Sequence, residues 1–509
     1  MTHSTSESYY FPADAADALV TAQIGKLTAV LTQDDVAVPF TVIDCFDQSL
    51  RRSNRLLLET GSAFALFLPD GRVVSQTAKR NGQFVADFQE GPVKQALADL
   101  SPLRSLLPIG SGNLRHAVLA LLDDDQKTHG RAYLHILTTT GGKAATLIRL
   151  QGLRGYNKAL AELCKHVEAC GGTALNSGQI YAELFPDLVA YDAKPEVMVA
   201  SDDTAFYAAN AIIAAYIPVA RANEVGIIAD HDTEFLHDYR IALRKIRSVL
   251  SLFKGVYQDD QTEVLKVGFS ALMVPTGRLR DLDVYLLERQ HYYGLLPKIL
   301  HGGLDAMFSL FTKERKAETA KLARHFRTKS YKQQITDLTR LFGKRKKLEP
   351  GPNAERGAHD YACALIWKRY RKICKIAAGI GPETDDAEVH ALRIQCKKLR
   401  YLMEFFATLF PKPEFKSLLK PLKHLQDNLG LINDYAVQQV SLQDFLRGLS
   451  KRPDSMNFDV AQSVGALIAV LHRRQLEERA KVVDSFAQFD SPPTQKTFHD
   501  LFHAPKEIK

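Results

Sequence analysis

The chain has 509 residues, 46% of them hydrophobic, enough for about two to four domains with proper cores. Its net charge of +8 is unevenly spread: residues 1–200 carry 18 basic and 21 acidic side chains, the remainder 48 and 37. No apolar run approaches the roughly 18 residues of a membrane span, and "MTHSTSESYYF" lacks the regions of a signal peptide, so a cytoplasmic protein is expected. Six cysteines scattered without CxxC pairing point to reduced, mostly buried thiols rather than disulfides or zinc.

Between residues 40 and 155, short apolar or alternating runs are separated by turn signals at Asp70-Gly71, Asn81-Gly82 and Gly141-Gly142. They predict six to eight antiparallel strands, including "RLLLET", "GQFVADF" and "RAYLHILTTTGG". A helix, "NKALAELCKHVEAC", follows, and residues 171–203, with Gly171-Gly172, Pro186 and Pro195, read as linker. From there helical periodicity predicts helices over 204–222, 233–256, 261–289, 302–327, 330–343, 355–379, 386–409, 413–447 and 459–489. The basic run "GKRKK" at 343–347, before Pro350-Gly351-Pro352, marks a break in this helical part.

One spacing recurs across that break. His237, Arg240, Arg244 and Arg247 are matched 153 residues later by His390, Arg393, Lys397 and Arg400. The same offset carries Gly277, Asp281 and Val284 onto Gly430, Asp434 and Val437, the mark of a tandem duplication. Offsets of 0, 3, 7 and 10 fall within an arc of roughly 80° on a helix, so each set forms a row. Tyr239, Leu243, Ile246, Leu250 and Phe253, and in the second copy Leu392, Leu399, Met403 and Phe406, occupy the neighbouring arc as a core face. Each row runs about 15 Å along its axis, too long for one small anion and suited to a linear polyanion. The plain alternative is a solvated face, but such faces mix Glu with Lys, and neither row contains an acid.

"FLHDYRIALRKIRSVLSLF" followed by "GRLRDLDV", and "VHALRIQCKKLRYLMEFF" followed by "LQDNLGLINDYAV", resemble the two halves of a CHAD domain over roughly residues 200–490. The resemblance implies two four-helix bundles related by pseudo-twofold symmetry, their basic helices facing a cleft that binds inorganic polyphosphate. Carried onto this chain, the anion-binding positions are His237, Arg240, Arg244 and Arg247, and His390, Arg393, Lys397 and Arg400. Lys245, Lys398, Arg278 and Arg280 are expected to join them, and the stripe Lys416, Lys420 and Lys423 is either a solvated face or an extension of the cleft. Asp281, Asp283 and Asp434 are expected to orient guanidinium groups or cap helices. The second copy departs at Asn433 and Ala436, where the first has Arg280 and Asp283, so one half is expected to bind less strongly or be ordered differently.

CHAD domains often follow a CYTH domain, a β-tunnel that in its active forms hydrolyses triphosphates, and "CFDQSLRRSNRLLLETGSAFALF" is similar to a strand pair of that family. An active tunnel needs alternating glutamates on its first strand, because i and i+2 side chains together hold the divalent metal. The corresponding "YYFPADAADALVTAQIGKL" has no such pair, and Asp123 and Asp125 sit in a loop-like stretch. The expectation is therefore an α+β chain: a non-catalytic, CYTH-like β-tunnel or barrel over 1–170, a linker over 171–203, and helical bundles over 204–347 and 348–509. No catalytic residue, metal ligand or cofactor is expected. The expected partner is inorganic polyphosphate, with polyphosphate granules as a place of attachment. A metal-dependent triphosphatase would need the missing carboxylates, and a metal-binding module would place a dication one turn from an arginine. A nucleic-acid binder would need exposed aromatics among the cations, where only Tyr401 is near.

Overall fold

The computed structural model describes residues 6–503 except 13, 15–18, 20–22, 62, 176, 344–346, 382–383 and 451–457. The chain divides into two compact units, Met1–Asp192 and Ala193–Lys509.

The first unit is a curled antiparallel sheet. Its strands are β1 (Ser6–Phe11), β2 (Gln23–Ile24), β3 (Leu27–Asp34), β4 (Val38–Cys45), β5 (Leu56–Thr60), β6 (Ala63–Phe67), β7 (Val73–Thr77), β8 (Leu106–Leu122), β9 (Thr128–Thr139), β10 (Ala144–Gly152) and β11 (Thr173–Ala174). Their order is β11-β1-β10-β9-β8-β4-β5-β6-β7, and the long β8 pairs with both β4 and β3 along one edge. Gly71 and Gly142, both at φ +79°, close the β6–β7 and β9–β10 turns in the left-handed conformation that glycine adopts without a steric penalty.

Between residues 40 and 155 the sheet has seven strands, β4–β10, within the expected six to eight, and four more lie outside that stretch. β1, β3 and the two-residue β2 and β11 carry no turn-bounded apolar run and were not legible as strands. Conversely, 82–88 is no strand: it bends into a 3-10 turn at Val85–Asp87, because the Asp87 carboxylate accepts from the Phe84 N–H at 2.8 Å and competes with a ladder.

Short helices α1 (Ser49–Arg52) and α2 (Pro92–Ala96) lie in the connections, and α3 (Asn157–Ala169) and α4 (Ser177–Leu184) cover the sheet. Successive side chains face opposite ways along a strand. Leu134, Ile136, Ile148 and Leu150 therefore meet Leu160, Leu163 and Val167 of α3, while Leu137 and Leu147 meet Ile180, Tyr181 and Leu184 of α4. The stretch 171–203 is thus not linker throughout: its glycines and prolines conceal a strand paired with β1 and a helix in the core. Buried Asp44 accepts from the N–H groups of Leu50 and Arg51 at 2.9 and 3.0 Å and caps α1; burial still pushes its carboxyl up to about 6.

The second unit is helical: α5 (Ala205–Ala229), α6 (Thr233–Leu252), α7 (Asp259–Met273), α8 (Gly277–Leu287), α9 (Arg289–Leu295), α10 (His301–Arg327), α11 (Lys329–Gly343), α12 (Ala358–Ala377), α13 (Asp386–Phe405), α14 (Lys412–Ser450), α15 (Phe458–Ala480), α16 (Val482–Phe489) and α17 (Pro492–Phe502). The span expected as one helix over 261–289 breaks at a 3-10 turn holding Pro275, whose ring cannot continue the helix. The one over 459–489 divides at Lys481, and α17 lies beyond the last expected helix. Most of the run 343–347 lies outside the described residues. Among those residues α5 is the one helix long and apolar enough to cross a membrane, and half of its most apolar stretch is buried in the bundle.

Residues 153 apart meet repeatedly in this unit. Thr204 and Gly357 form an antiparallel bridge. The Ala205 N–H donates to the Arg356 carbonyl at 2.8 Å, and the Ala358 N–H donates to the Asp203 carbonyl at 2.7 Å, the same bond with the halves exchanged. Phe253 stacks on Phe406 with centroids 4.9 Å apart and planes 10° from parallel. The Tyr285 hydroxyl donates to the Gln438 carbonyl at 3.3 Å. Such self-complementary contacts are those of a twofold interface, here within one chain.

Candidate functional site

The rows sit on α6 and α13. Asp232 starts α6 by accepting from the Glu234 and Phe235 N–H groups at 2.9 and 3.2 Å. The core face lies where periodicity puts it: Tyr239, Leu243, Ile246, Leu392, Leu399 and Met403 are buried. Burial of that face leaves each cationic row on a neighbouring arc of its helix.

Arg244 and Lys397, equivalent residues of the two copies, are electrostatic neighbours. Burial, then Arg244 and Arg393, push the Lys397 ammonium down to about 8, with Asp434 opposing. Arg240 donates to Thr276 Oγ1 at 2.6 Å, and burial and Arg244 hold its guanidinium below the usual range. Arg240 Nε and Arg280 Nη1 are buried and have no acceptor among the described residues. Burial pushes the Asp281 carboxyl up, while Arg240, Arg278 and Arg280 pull it back. Arg247 reaches Met273 Sδ at 3.2 Å, His390 pairs with Asn433 at 3.0 Å, and Arg393 stands 3.8 Å from Asp434. His237 is half-buried beside Arg240 on α6.

Several expected members are otherwise engaged. Lys245 pairs with Glu404 and lies over the ring of Tyr401 at 4.6 Å, because at one position past Arg244 it turns toward α13 rather than along the row. Arg400 donates to the same Glu404 at 2.6 Å and to Gln426 at 3.2 Å. Burial pushes the Glu404 carboxyl up, yet Lys245 and Arg400 together hold it below the usual range. Arg278 makes a two-pronged pair with Glu314 at 2.6 and 2.7 Å. Lys398, about 100° around α13 from Lys397, instead neighbours Arg369, Lys372 and Lys254. Lys416, Lys420 and Lys423 are exposed on α14, turned away from its buried Leu418, Leu422 and Leu425. Asp283 is buried against Arg315 at 2.7 Å, which also grips Asp230.

Sequence reasoning missed Thr276, Glu314, Arg315 and Glu404. Glu404 alone had a local signal, since it stands four residues after Arg400 on one helix. In the sheet unit, His116 and His135 face each other on paired strands with Nδ1 atoms 2.7 Å apart, and burial drives the His135 imidazolium down to about 3. Among the described residues no group of three or more His, Cys, Asp or Glu could hold a metal ion.

The model of the CHAD domain family matches residues 211–443. This stretch of the helical unit is similar to a CHAD domain. Two solved structures are similar: the CHAD domain from the plant Ricinus communis, 24% identical, covering 61% of this chain and 96% of that chain at a TM-score of 0.46; and PptA from Streptomyces chartreusis, 16% identical, covering 57% and 99% at a TM-score of 0.37. None of the curated proteins matches this chain.

Proposed function

We propose that the helical unit binds inorganic polyphosphate along α6 and α13 and tethers the protein to polyphosphate granules in the cytoplasm. One observation carries this reading: Arg240, Arg244, Arg280 and Lys397 converge, with two guanidinium nitrogens buried without an acceptor among the described residues. Crowding buried cations is unfavourable, and an anion that accepts from those donors relieves both the repulsion and the lost hydrogen bonds. A chain of phosphates matches the length of the rows, about 15 Å, better than one small anion. Nucleic acid is disfavoured because Tyr401, the aromatic nearest the rows, is covered by Lys245 and Lys397 rather than free to stack on a base.

The sheet unit, on this reading, is a non-catalytic relative of the CYTH tunnel. One of its faces is closed by Ile180, Tyr181 and Leu184 of α4, and the polar pair nearby is two imidazoles rather than two carboxylates.

Retention of the full chain on long-chain polyphosphate, with duplex DNA at equal phosphate concentration as competitor, tests the ligand class. Polyphosphate should win, and log affinity should fall linearly with log salt, by analogy with nucleic acids. Equal retention by DNA would overturn the assignment.

A further inference from the structure

Beside the basic rows lies a cavity of about 1230 Å³ whose character differs from theirs. It is walled by α10, α13, α14 and α15, and much of its surface is apolar: Leu310, Val437, Val440, Phe445 and Leu449. Val437 and Val440 are 58% and 56% exposed, one turn apart on α14, so an apolar stripe faces solvent inside a deep concavity. Cavities of this size and lining take small ligands of lipid dimensions.

The asymmetry of the duplication opens this space. At the equivalent place in the first copy, α8 carries Arg280 and Asp283, and Asp283 is buried in an ion pair with Arg315. In the second copy those positions are Asn433 and Ala436, and both line the cavity. Losing a guanidinium and a carboxylate removes volume and the polar network together.

Each acid on its rim has a cationic partner, two of them from outside the lining. Of the acids lining it, Glu314 is paired with Arg278, Asp386 with Arg479 and Asp444 with Arg447. Lys313, His390 and Arg393 stand at the same cavity, His390 bonded to Asn433 at 3.0 Å and Arg393 3.8 Å from Asp434.

We propose that this cavity binds a single amphipathic anion, its apolar chain along Val437, Val440, Phe445 and Leu449 and its anionic head at Lys313, His390 and Arg393. The ligand class is a single-chain amphiphile with a phosphate or carboxylate head, taken up as a monomer because helices wall the concavity. It is distinct from the polyphosphate site, although His390 and Arg393 border both.

The test is calorimetric titration of the full chain with decyl phosphate below its micelle concentration, beside decanol and inorganic phosphate. Saturable one-to-one binding of decyl phosphate is expected, with decanol and inorganic phosphate each weaker by about tenfold or more. Val440→Asp puts a charge on the apolar stripe and Ala436→Leu fills the space. Both should weaken decyl phosphate by about tenfold or more while leaving polyphosphate retention at the parental level, which also shows that the fold survives. If both folded variants bind decyl phosphate like the parent, or decanol binds as tightly as decyl phosphate, the proposal falls. The polyphosphate arm reads the other site separately.

Discussion

Arg244 and Lys397 occupy the same position in two copies of one helix, 153 residues apart, and are neighbours in the fold, each raising the electrostatic cost of the other's charge. Their proximity follows from the pseudo-twofold arrangement that also brings Phe253 onto Phe406. Two α-helices that cross at equivalent residues must present like side chains to each other, and here those side chains are cations.

Replacing both Arg244 and Lys397 by Ala should therefore reduce affinity for long-chain polyphosphate by more than tenfold, since each charge-assisted contact is worth roughly 1.5–3 kcal/mol when desolvated. Replacing Lys416, Lys420 and Lys423 together should change it far less, because they are exposed on α14 and act only through a screened field. Binding titrations at fixed salt, with circular dichroism as the control for folding, compare the two sets.

The depressed Lys397 predicts a pH dependence. A bound polyanion favours the ammonium form, so above pH 8 binding must take up a proton, and affinity should fall as pH rises through about 8. Lys397→Arg should flatten this profile. For stability without ligand the sign reverses: the fold holds fewer protons than the unfolded chain between about 8 and the ordinary lysine value of 10.5, so this residue makes stability rise with pH across that window. Titrations in buffers of different ionisation enthalpy read the proton uptake directly.

Glu404 holds two cations from opposite copies, Lys245 and Arg400. Glu404→Gln leaves Lys245 buried without its counter-charge and should destabilise the helical unit by about 1–3 kcal/mol. Polyphosphate should recover part of that loss, because a ligand that binds only the folded state stabilises it by mass action. Denaturant unfolding with and without polyphosphate measures both effects.

The stacked pair should matter to folding itself. Phe253→Ala and Phe406→Ala each empty a fully packed site and should cost about 3–5 kcal/mol. The double variant should cost less than the sum, because the two rings are each other's neighbours. Additivity in a double-mutant cycle would place the rings in independent surroundings and contradict the stacking.

The intact chain should not turn over tripolyphosphate with magnesium or manganese, for want of the carboxylates that hold a bridging metal. Phosphate release at about one per second or faster would contradict this.

Much of the helical unit was legible from residues alone. The 153-residue register, the cationic rows and the buried arc beside them are periodic features, and periodicity in sequence is one face in space. Legibility stopped where the partner of a side chain comes from elsewhere in the chain. That Arg278 is occupied by Glu314, Lys245 by Glu404 and Asp283 by Arg315 depends on packing between helices distant in sequence. The same holds for the sheet, where β1 and β3 find their partners β10 and β8 more than 80 residues away. The one-dimensional pattern determined which residues share a helix face and that a cationic row occurs twice. Only the tertiary structure decided which of those cations meet, which are neutralised and where the second copy's missing ion pair leaves a cavity, because charge pairing and free volume are properties of neighbours brought together by the fold.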